Sequence, residues 1–306
     1  MINPNLQLGI VAFEKEHQQL ILLLKSIKRF APQFLKVISI ATQESGSHYF
    51  DILKRDLQGF FDHNVILRMS SQDQIIGPGY SPKYSGWRLQ QILKLKLSTD
   101  LTSDYTLVLD TKNHLITELS FGDFFEDGMI LYKKYSERNH LDGDMGSHLR
   151  KTFSAINADL DVYLDNSLGP LTPFIFVNEI VRNMINDLER DFNNSFPQIF
   201  LEQGFAEFYL YGAYLTKHNL LDKNYKEREN KEFAITFFGS AFIDEINNPF
   251  KWGMENVESG KCKVFGLHWT AFNKLSLNQQ EYLINLWVRS ELLTYDEAKN
   301  FLAMRR

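Results

Sequence analysis

Cysteine is almost missing from this 306-residue chain: Cys262 stands alone, so no disulfide framework can brace it, and a reducing cytoplasm is the expected compartment. Long apolar runs are missing too. Leu20–Leu24 ends at Lys25, and Leu168–Val177 is interrupted by Gly169 and Pro170, so nothing approaches the roughly 18–20 residues that span a bilayer. Met1-Ile2-Asn3-Pro4 lacks a basic segment, and no secretory leader is expected. There is no cationic excess: the net charge of −5 argues against a nucleic-acid partner. The histidines show no H-x-x-x-H or Cys-partnered spacing, which excludes a readable structural zinc site. Low-complexity tracts are absent, and aromatics at 14% exclude disorder.

What remains is a globular chain, 44% apolar and 23% charged, large enough to bury roughly three quarters of its unfolded surface. The first third alternates strand and helix. Leu6–Phe13 reads as a strand buried on both faces, and Glu16–Phe30 as a helix with Leu20, Leu23, Leu24 and Ile27 inward, stopped at Pro32. Leu35–Ala41 and Val65–Met69 read as strands, His48–Leu57 and the region of Trp87–Leu97 as helices, and Tyr105–Leu109 as a strand running into Asp110. That alternation predicts a doubly wound, mostly parallel α/β sheet. Beyond residue 115 the pattern is mixed. Phe121–Asp127 and His140–Gly146 read as surface loops and the mixed charge run Lys217–Glu232 as a solvated loop or helix edge. Phe174–Val177, Phe233–Phe238 and Lys263–Leu267 read as strands. Asn178–Asp191, Phe196–Leu215 (broken near Gly204), Gln279–Arg289 and Tyr295–Met304 read as helices. With no linker or repeat, a single domain is expected, with a binding half at 1–115 and a second half at 116–306.

Ligands of open α/β sheets bind at the carboxyl ends of the strands, where Asp110 lies. Asp110 therefore reads either as a turn cap or as a carboxylate offered to a ligand or metal. Ser71–Gly86, with Gly77, Pro78, Gly79, Pro82 and Gly86, reads as a long loop ahead of a helix that could receive a phosphate, although it is not a Walker or Rossmann pattern. On that helix Leu89, Ile92, Leu93 and Leu97 gather on one side, and Trp87, Gln90, Gln91 and Lys94 on the other. The polar stripe is either an ordinary wet face or a surface for a charged ligand.

The run Gly86-Trp87-Arg88-Leu89-Gln90-Gln91-Ile92-Leu93-Lys94-Leu95, followed by Tyr105-Thr106-Leu107-Val108-Leu109-Asp110, resembles bacterial sugar-nucleotide-dependent glycosyltransferases of the GT-A class. The likeness is to a branch from surface-polysaccharide and lipopolysaccharide loci. Leu171-Thr172-Pro173-Phe174, Phe205 to Gly212 and Phe265-Gly266-Leu267-His268 extend it over residues 6–272. The resemblance implies a GT-A-like fold with a mixed C-terminal half. It further implies a nucleotide-sugar donor and a glycan or lipid-linked acceptor.

By position, Asp110 is the first carboxylate of a DxD-like motif, and Trp87, Gln91, Lys94, Asp110, Lys112 and His268 fall to the donor. Lys112 stands where the family places its second acid. An ammonium there repels Mg²⁺ or Mn²⁺ and can itself neutralise a diphosphate, so no cofactor and metal-independent transfer are expected. If Lys112 instead turns to solvent, a metal would rest on Asp110 and His268. Glu207, among Phe205, Phe208, Tyr209 and Tyr211, reads as a general base toward an acceptor hydroxyl, as a dipole-matched helix start, or as a partner of Tyr211. Asp110, Lys112 and Glu207 are thus the expected catalytic residues.

The resulting expectation is a cytoplasmic glycosyltransferase of bacterial surface-polysaccharide synthesis. The alternative is a non-catalytic glycan- or nucleotide-binding module; a nucleotidyltransferase would need a Gly-rich, Arg- and Lys-bearing loop that Gly9-Ile10-Val11-Ala12-Phe13-Glu14 does not supply. Arg305-Arg306 suits either a chain boundary or a peripheral attraction to anionic lipid at the inner membrane face.

Overall fold

The computed structural model describes residues 5–31, 34–43, 48–80, 83–135, 138, 141–239 and 249–303. Pro32, Pro82, His140 and the Arg305-Arg306 pair lie outside the described residues. The chain opens with β1 (Leu6–Ala12), buried along its whole length, and α1 (His17–Phe30), which buries the expected Leu20, Leu23, Leu24 and Ile27. β2 (Val37–Thr42) is again wholly buried; α2 (His48–Asp56) and β3 (Ile66–Ser71) follow. β3 is only partly buried because it lies at a sheet edge.

Ser71–Gly86, expected as one loop, begins instead with α3 (Gln72–Ile76). A capping box holds it: Gln74 N donates to Ser71 Oγ at 3.3 Å, and Ser71 N donates to Gln74 Oε1 at 2.8 Å. α4 (Gly86–Leu97) and β4 (Tyr105–Asp110) then appear where expected. Three short strands come next: β5 (Asn113–Leu115), β6 (Phe125–Glu126) and β7 (Met129–Tyr132). The expected loop to Gly146 is cut short, since α5 (Asp144–Ala155) starts inside it, and α6 (Leu160–Asp165) is capped by the Asp159 side chain.

β8 (Phe174–Val177) and α7 (Asn178–Phe192) match expectation. The aromatic stretch divides into α8 (Phe196–Gln203) and α9 (Glu207–Lys217) at Gly204, whose φ of 71° ends the first helix in the left-handed region. The charge run after residue 217 is not simply solvated. It forms α10 (Leu221–Asn224) and β9 (Tyr225–Glu227), and Tyr225 is buried with its hydroxyl 2.8 Å from both Ile175 O and Tyr211 Oη. The chain closes with β10 (Ala234–Phe237), α11 (Pro249–Glu258), β11 (Val264–Leu267), α12 (Trp269–Phe272), α13 (Leu277–Arg289) and α14 (Tyr295–Ala303).

These elements form two compact units. The first comprises Met1–Val11, Lys36–Leu109 and Phe121–Glu229; the second comprises Ala12–Leu35, Asp110–Ser120 and Asn230–Arg306. In the first unit a five-stranded sheet runs β3-β2-β1-β4-β8. β2 and β3 pair in parallel from Val37↔Ile66 to Thr42↔Ser71, and β8 lies antiparallel to β4 at the other edge. This is the doubly wound, mostly parallel α/β arrangement that the alternating pattern demands. A buried polar chain crosses it: Ser39 Oγ donates to Gln7 Oε1 (3.1 Å), Gln7 Nε2 to Thr106 Oγ1 (2.8 Å), and Thr106 Oγ1 to Asn178 Oδ1 (2.7 Å). Each link satisfies groups that would otherwise be stranded among Val, Ile and Leu. A small second sheet, β6-β7-β9, accompanies it.

The second unit is built on β10-β11-β5, with β10 and β11 parallel and β5 antiparallel to β11. Its core gathers Leu22, Phe265, Trp287 and Phe301. His114 is buried within it and accepts a hydrogen bond from Trp287 Nε1 at 2.8 Å. Among the described residues no helix is long and apolar enough to cross a membrane.

Candidate functional site

In the first unit the expected donor residues of α4 do not share one environment. Trp87 is 43% exposed, whereas Gln91 is 1% and Lys94 4% exposed. The stripe is therefore not an ordinary wet face. What buries it is Glu207, the first residue of α9, itself 6% exposed. Lys94 Nζ lies 3.2 Å from Glu207 Oε1, and Glu207 N donates to Gln91 Oε1 at 3.3 Å. Lys94 also sits 5.3 Å from the Phe208 ring centroid, where the ring face attracts an ammonium.

Arg88 completes this cluster. Its guanidinium donates to the carbonyls of Phe205 and, at 2.9 Å, Phe200, tying α4 to the end of α8 and the turn before α9. Burial holds its pKa below the ordinary value, with the Glu207 charge opposing that shift. Glu207 thus lies among cations as well as rings. It occupies a helix start, as one reading requires; the expected Tyr211 partner is instead engaged by Val177 N and Tyr225 Oη. Trp87 stands apart from the ion pair, its ring 5.6 Å from that of His148, which bonds Gly204 O through Nδ1 at 2.8 Å.

Three residues of this unit escaped sequence reading. Thr42 Oγ1, Gln43 Oε1 and Asp73 Oδ1, like Nε2 of the expected Gln91, are buried atoms with no hydrogen-bond partner among the described residues. The available signals were the polar Thr42-Gln43 at the end of an apolar strand and the S-x-x-Q pattern at Ser71.

In the second unit the chain turns directly after β4. Asp110 N donates to Asn113 Oδ1 at 3.0 Å, and Leu267 N donates to Lys112 O at 3.1 Å, which sets the turn beside the end of β11. Within that turn Lys112 Nζ is ion-paired with Asp110 Oδ2, and the ammonium lies 6.0 Å from the Phe238 ring centroid. Thr111 Oγ1 donates to Glu16 Oε2 at 2.5 Å.

His268 follows β11 and caps α12, its Nδ1 2.8 Å from Thr270 Oγ1. Its pKa is pushed down to about 4, chiefly by burial, then by the Lys112 charge, with Asp110 opposing. Asp110, Lys112 and His268 therefore share one electrostatic neighbourhood. Trp87, Gln91, Lys94 and Glu207 share another in the first unit.

A family model described as "Family of unknown function (DUF6492)" matches residues 10–241. No curated protein matches the chain. Among solved structures, the WbbM bifunctional glycosyltransferase is similar at a TM-score of 0.51 and 12% identity, over 87% of this chain and 46% of that one. The glycosyltransferase GlyE of Streptococcus pneumoniae TIGR4 gives 0.45 and 13%, over 97% of this chain and 62% of its own. The galactosyltransferase LgtC, solved with donor and acceptor sugar analogs, gives 0.45 and 11%, over 97% and 95%. The likeness to WbbM shows the fold, which is GT-A-like. The chain spans only about half to two thirds of the length of WbbM and GlyE.

The GT-A likeness implies a divalent cation at the DxD-like position. The residues of that motif do not fit one: its single acid, Asp110, is already bonded to the Lys112 ammonium, and a hard dication wants several anionic oxygens. Among the described residues, no three His, Cys, Asp or Glu side chains are grouped to hold a metal.

Proposed function

The chain belongs to the DUF6492 family, whose function is unknown, and from that premise we propose that it is a glycosyltransferase moving a sugar from a nucleotide-sugar donor to a glycan or lipid-linked acceptor. The observation that carries the reading is the Asp110–Lys112 pair on the turn leaving β4 of a GT-A-like sheet. Transfer breaks the bond between the anomeric carbon and the diphosphate oxygen and forms one to an acceptor oxygen. Lys112 exchanges Asp110 for the departing diphosphate, whose developing charge a fixed ammonium stabilises without a metal. His268, uncharged at neutral pH, offers that diphosphate a hydrogen bond. The assignment of Trp87, Gln91 and Lys94 to the donor rests on the sequence resemblance alone; Gln91 and Lys94 are buried against Glu207.

Glu207 faces the acceptor. In inverting transfer it takes the acceptor's proton, and doing so means giving up its pairing with Lys94; retaining transfer needs no such base. The hexosyl class of the sugar and a role in bacterial surface-polysaccharide synthesis at the inner membrane face belong to this reading and rest on the sequence resemblance.

One observation favours a second reading, a non-catalytic glycan- or nucleotide-binding module. Both Lys112 and Glu207 are already partnered by side chains of their own unit. A panel of nucleotide sugars, assayed with and without chelator for donor hydrolysis and transfer to an acceptor extract, separates the two. Turnover that survives chelation and falls in Lys112→Ala supports metal-free transfer. Abolition by chelator contradicts it, and stabilisation without turnover favours the module.

A further inference from the structure

At the end of the second sheet away from the Asp110 turn, the chain leaves a cavity of about 310 Å³. β5 runs from Asn113 to Leu115, and β11, antiparallel to it, begins at Val264. Ile116, just past β5, and Cys262, just before β11, line the cavity, and Ile116 N donates to Lys263 O at 3.1 Å beside it. Asp110, Lys112 and His268 lie at the other end of the same two strands. Every lining residue belongs to the second unit.

The floor is apolar: Val257 on α11, Leu286 on α13 and Cys262 are all buried. The thiol is a neutral wall group, since Sγ donates to Val264 O at 3.3 Å and burial pushes its pKa up to about 12. The rim carries both signs of charge. Glu258 is the last residue of α11 and Arg289 the last of α13, and both are exposed. Among the described residues no ion pair joins them directly. Tyr282 attends to both: its hydroxyl donates to Glu258 Oε1 at 2.6 Å, and the Arg289 guanidinium lies 5.9 Å from its ring centroid.

The helix ends select what such a rim attracts. A helix C-terminus carries partial negative charge, which suits Arg289 and opposes Glu258. A bare anion drawn by Arg289 meets the Glu258 carboxylate and two negative helix ends, and a bare cation meets Arg289. A molecule bearing both charges satisfies each, and its ammonium relieves the carboxylate that the helix end disfavours. The volume stands at the low end of the range for ligand pockets, about 300–1,000 Å³, and so restricts the occupant to a small one.

We infer that this cavity binds a small zwitterion with an aliphatic body, the chemistry of a free aliphatic α-amino acid. Its carboxylate meets Arg289, its ammonium meets Glu258, and its side chain covers Val257 and Leu286. The site is separate from the Asp110 turn and does not rest on the transferase reading.

Isothermal titration calorimetry of the whole chain, Glu258→Gln and Arg289→Gln tests this, with L-leucine, isovalerate (no ammonium), isoamylamine (no carboxylate) and galactose as separate probes. L-leucine should bind the parent chain saturably. Each substitution removes one charge-assisted hydrogen bond and should weaken leucine about tenfold or more. Isovalerate and isoamylamine should fall below leucine by a similar factor on the parent chain. Isovalerate should bind Glu258→Gln no worse than the parent, and Arg289→Gln worse, which ties the carboxylate to Arg289. Melting curves of the three ligand-free proteins should coincide, because both substitutions lie on exposed side chains.

The absence of saturable leucine binding at millimolar concentration overturns the site, as does equal leucine affinity in all three proteins. Isovalerate matching leucine would make it an anion pocket, and galactose binding in place of leucine a sugar pocket; either result overturns the zwitterion. Glycosyl transfer plays no part in the readout, so failure of the transferase reading leaves this result standing.

Discussion

Lys94 and Glu207, separated by 113 positions in sequence, form a buried ion pair at 3.2 Å between α4 and α9. Both charges are buried, so removing one leaves the other with weaker compensation. Lys94→Met should lower unfolding free energy by roughly 3–5 kcal/mol. Lys94→Met combined with Glu207→Gln should cost less than the sum of the single changes. Urea denaturation of the four proteins measures that coupling; strict additivity would show that the pair carries no mutual stabilisation.

Burial does most to depress the His268 pKa and the Lys112 charge adds to it, so Lys112→Ala should raise it part of the way from about 4. Two effects act in the same direction: a repelling ammonium is removed, and Asp110 loses its counter-charge. Histidine ring NMR signals followed from pH 7 to pH 4 report the midpoint directly. An unmoved midpoint would separate the two side chains.

His114 makes folding stability depend on pH. Burial pushes its pKa down to about 3, and because Trp287 Nε1 can only donate, His114 Nε2 must be unprotonated. The unfolded chain titrates near the usual value of about 6.5 and binds the proton that the folded state refuses. The contribution is therefore complete above the unfolded value and is lost as pH falls from there toward 3, at up to about 1.4 kcal/mol per unit. Tm measured across pH 7 to pH 4 should decline, and His114→Gln should flatten the slope.

Gly266 lies on β11 opposite Asn113, and a Cβ added there would meet Thr236 Oγ1 at 2.5 Å and Asn113 Nδ2 at 2.8 Å. Those two side chains bond each other at 3.4 Å, and Asn113 also accepts from Asp110 N. Gly266→Ala should therefore destabilise the chain by about 1–3 kcal/mol and disturb the Asp110 turn. Melting curves test the first effect, and Lys112-dependent turnover the second.

The sheet was legible because a strand buried on both faces declares itself locally: Leu6–Ala12 and Val37–Thr42 show it without help from distant residues. α4 was legible as a helix, yet its Gln91–Lys94 stripe was ambiguous because the carboxylate that buries it sits on another helix. Tyr225 escaped for the same reason. Its neighbours in sequence are charged, and only the hydroxyl contacts with Ile175 and Tyr211 explain its burial. The Asp110–Lys112 pairing was within reach, two residues apart, but the wheel and strand periods describe faces and say nothing of which partner an ammonium selects.

The second unit is assembled from three separated stretches, and its core joins Leu22 to Trp287 and Phe301. During synthesis the early helix must wait, its apolar face uncovered, until the last eighty or so residues emerge from the ribosome. No single cut in the polypeptide releases either unit intact. Truncated expression clones ending before Asn230 should accumulate as aggregates or chaperone-bound chains, and successful fragments will be those made by permuting or co-expressing all three stretches.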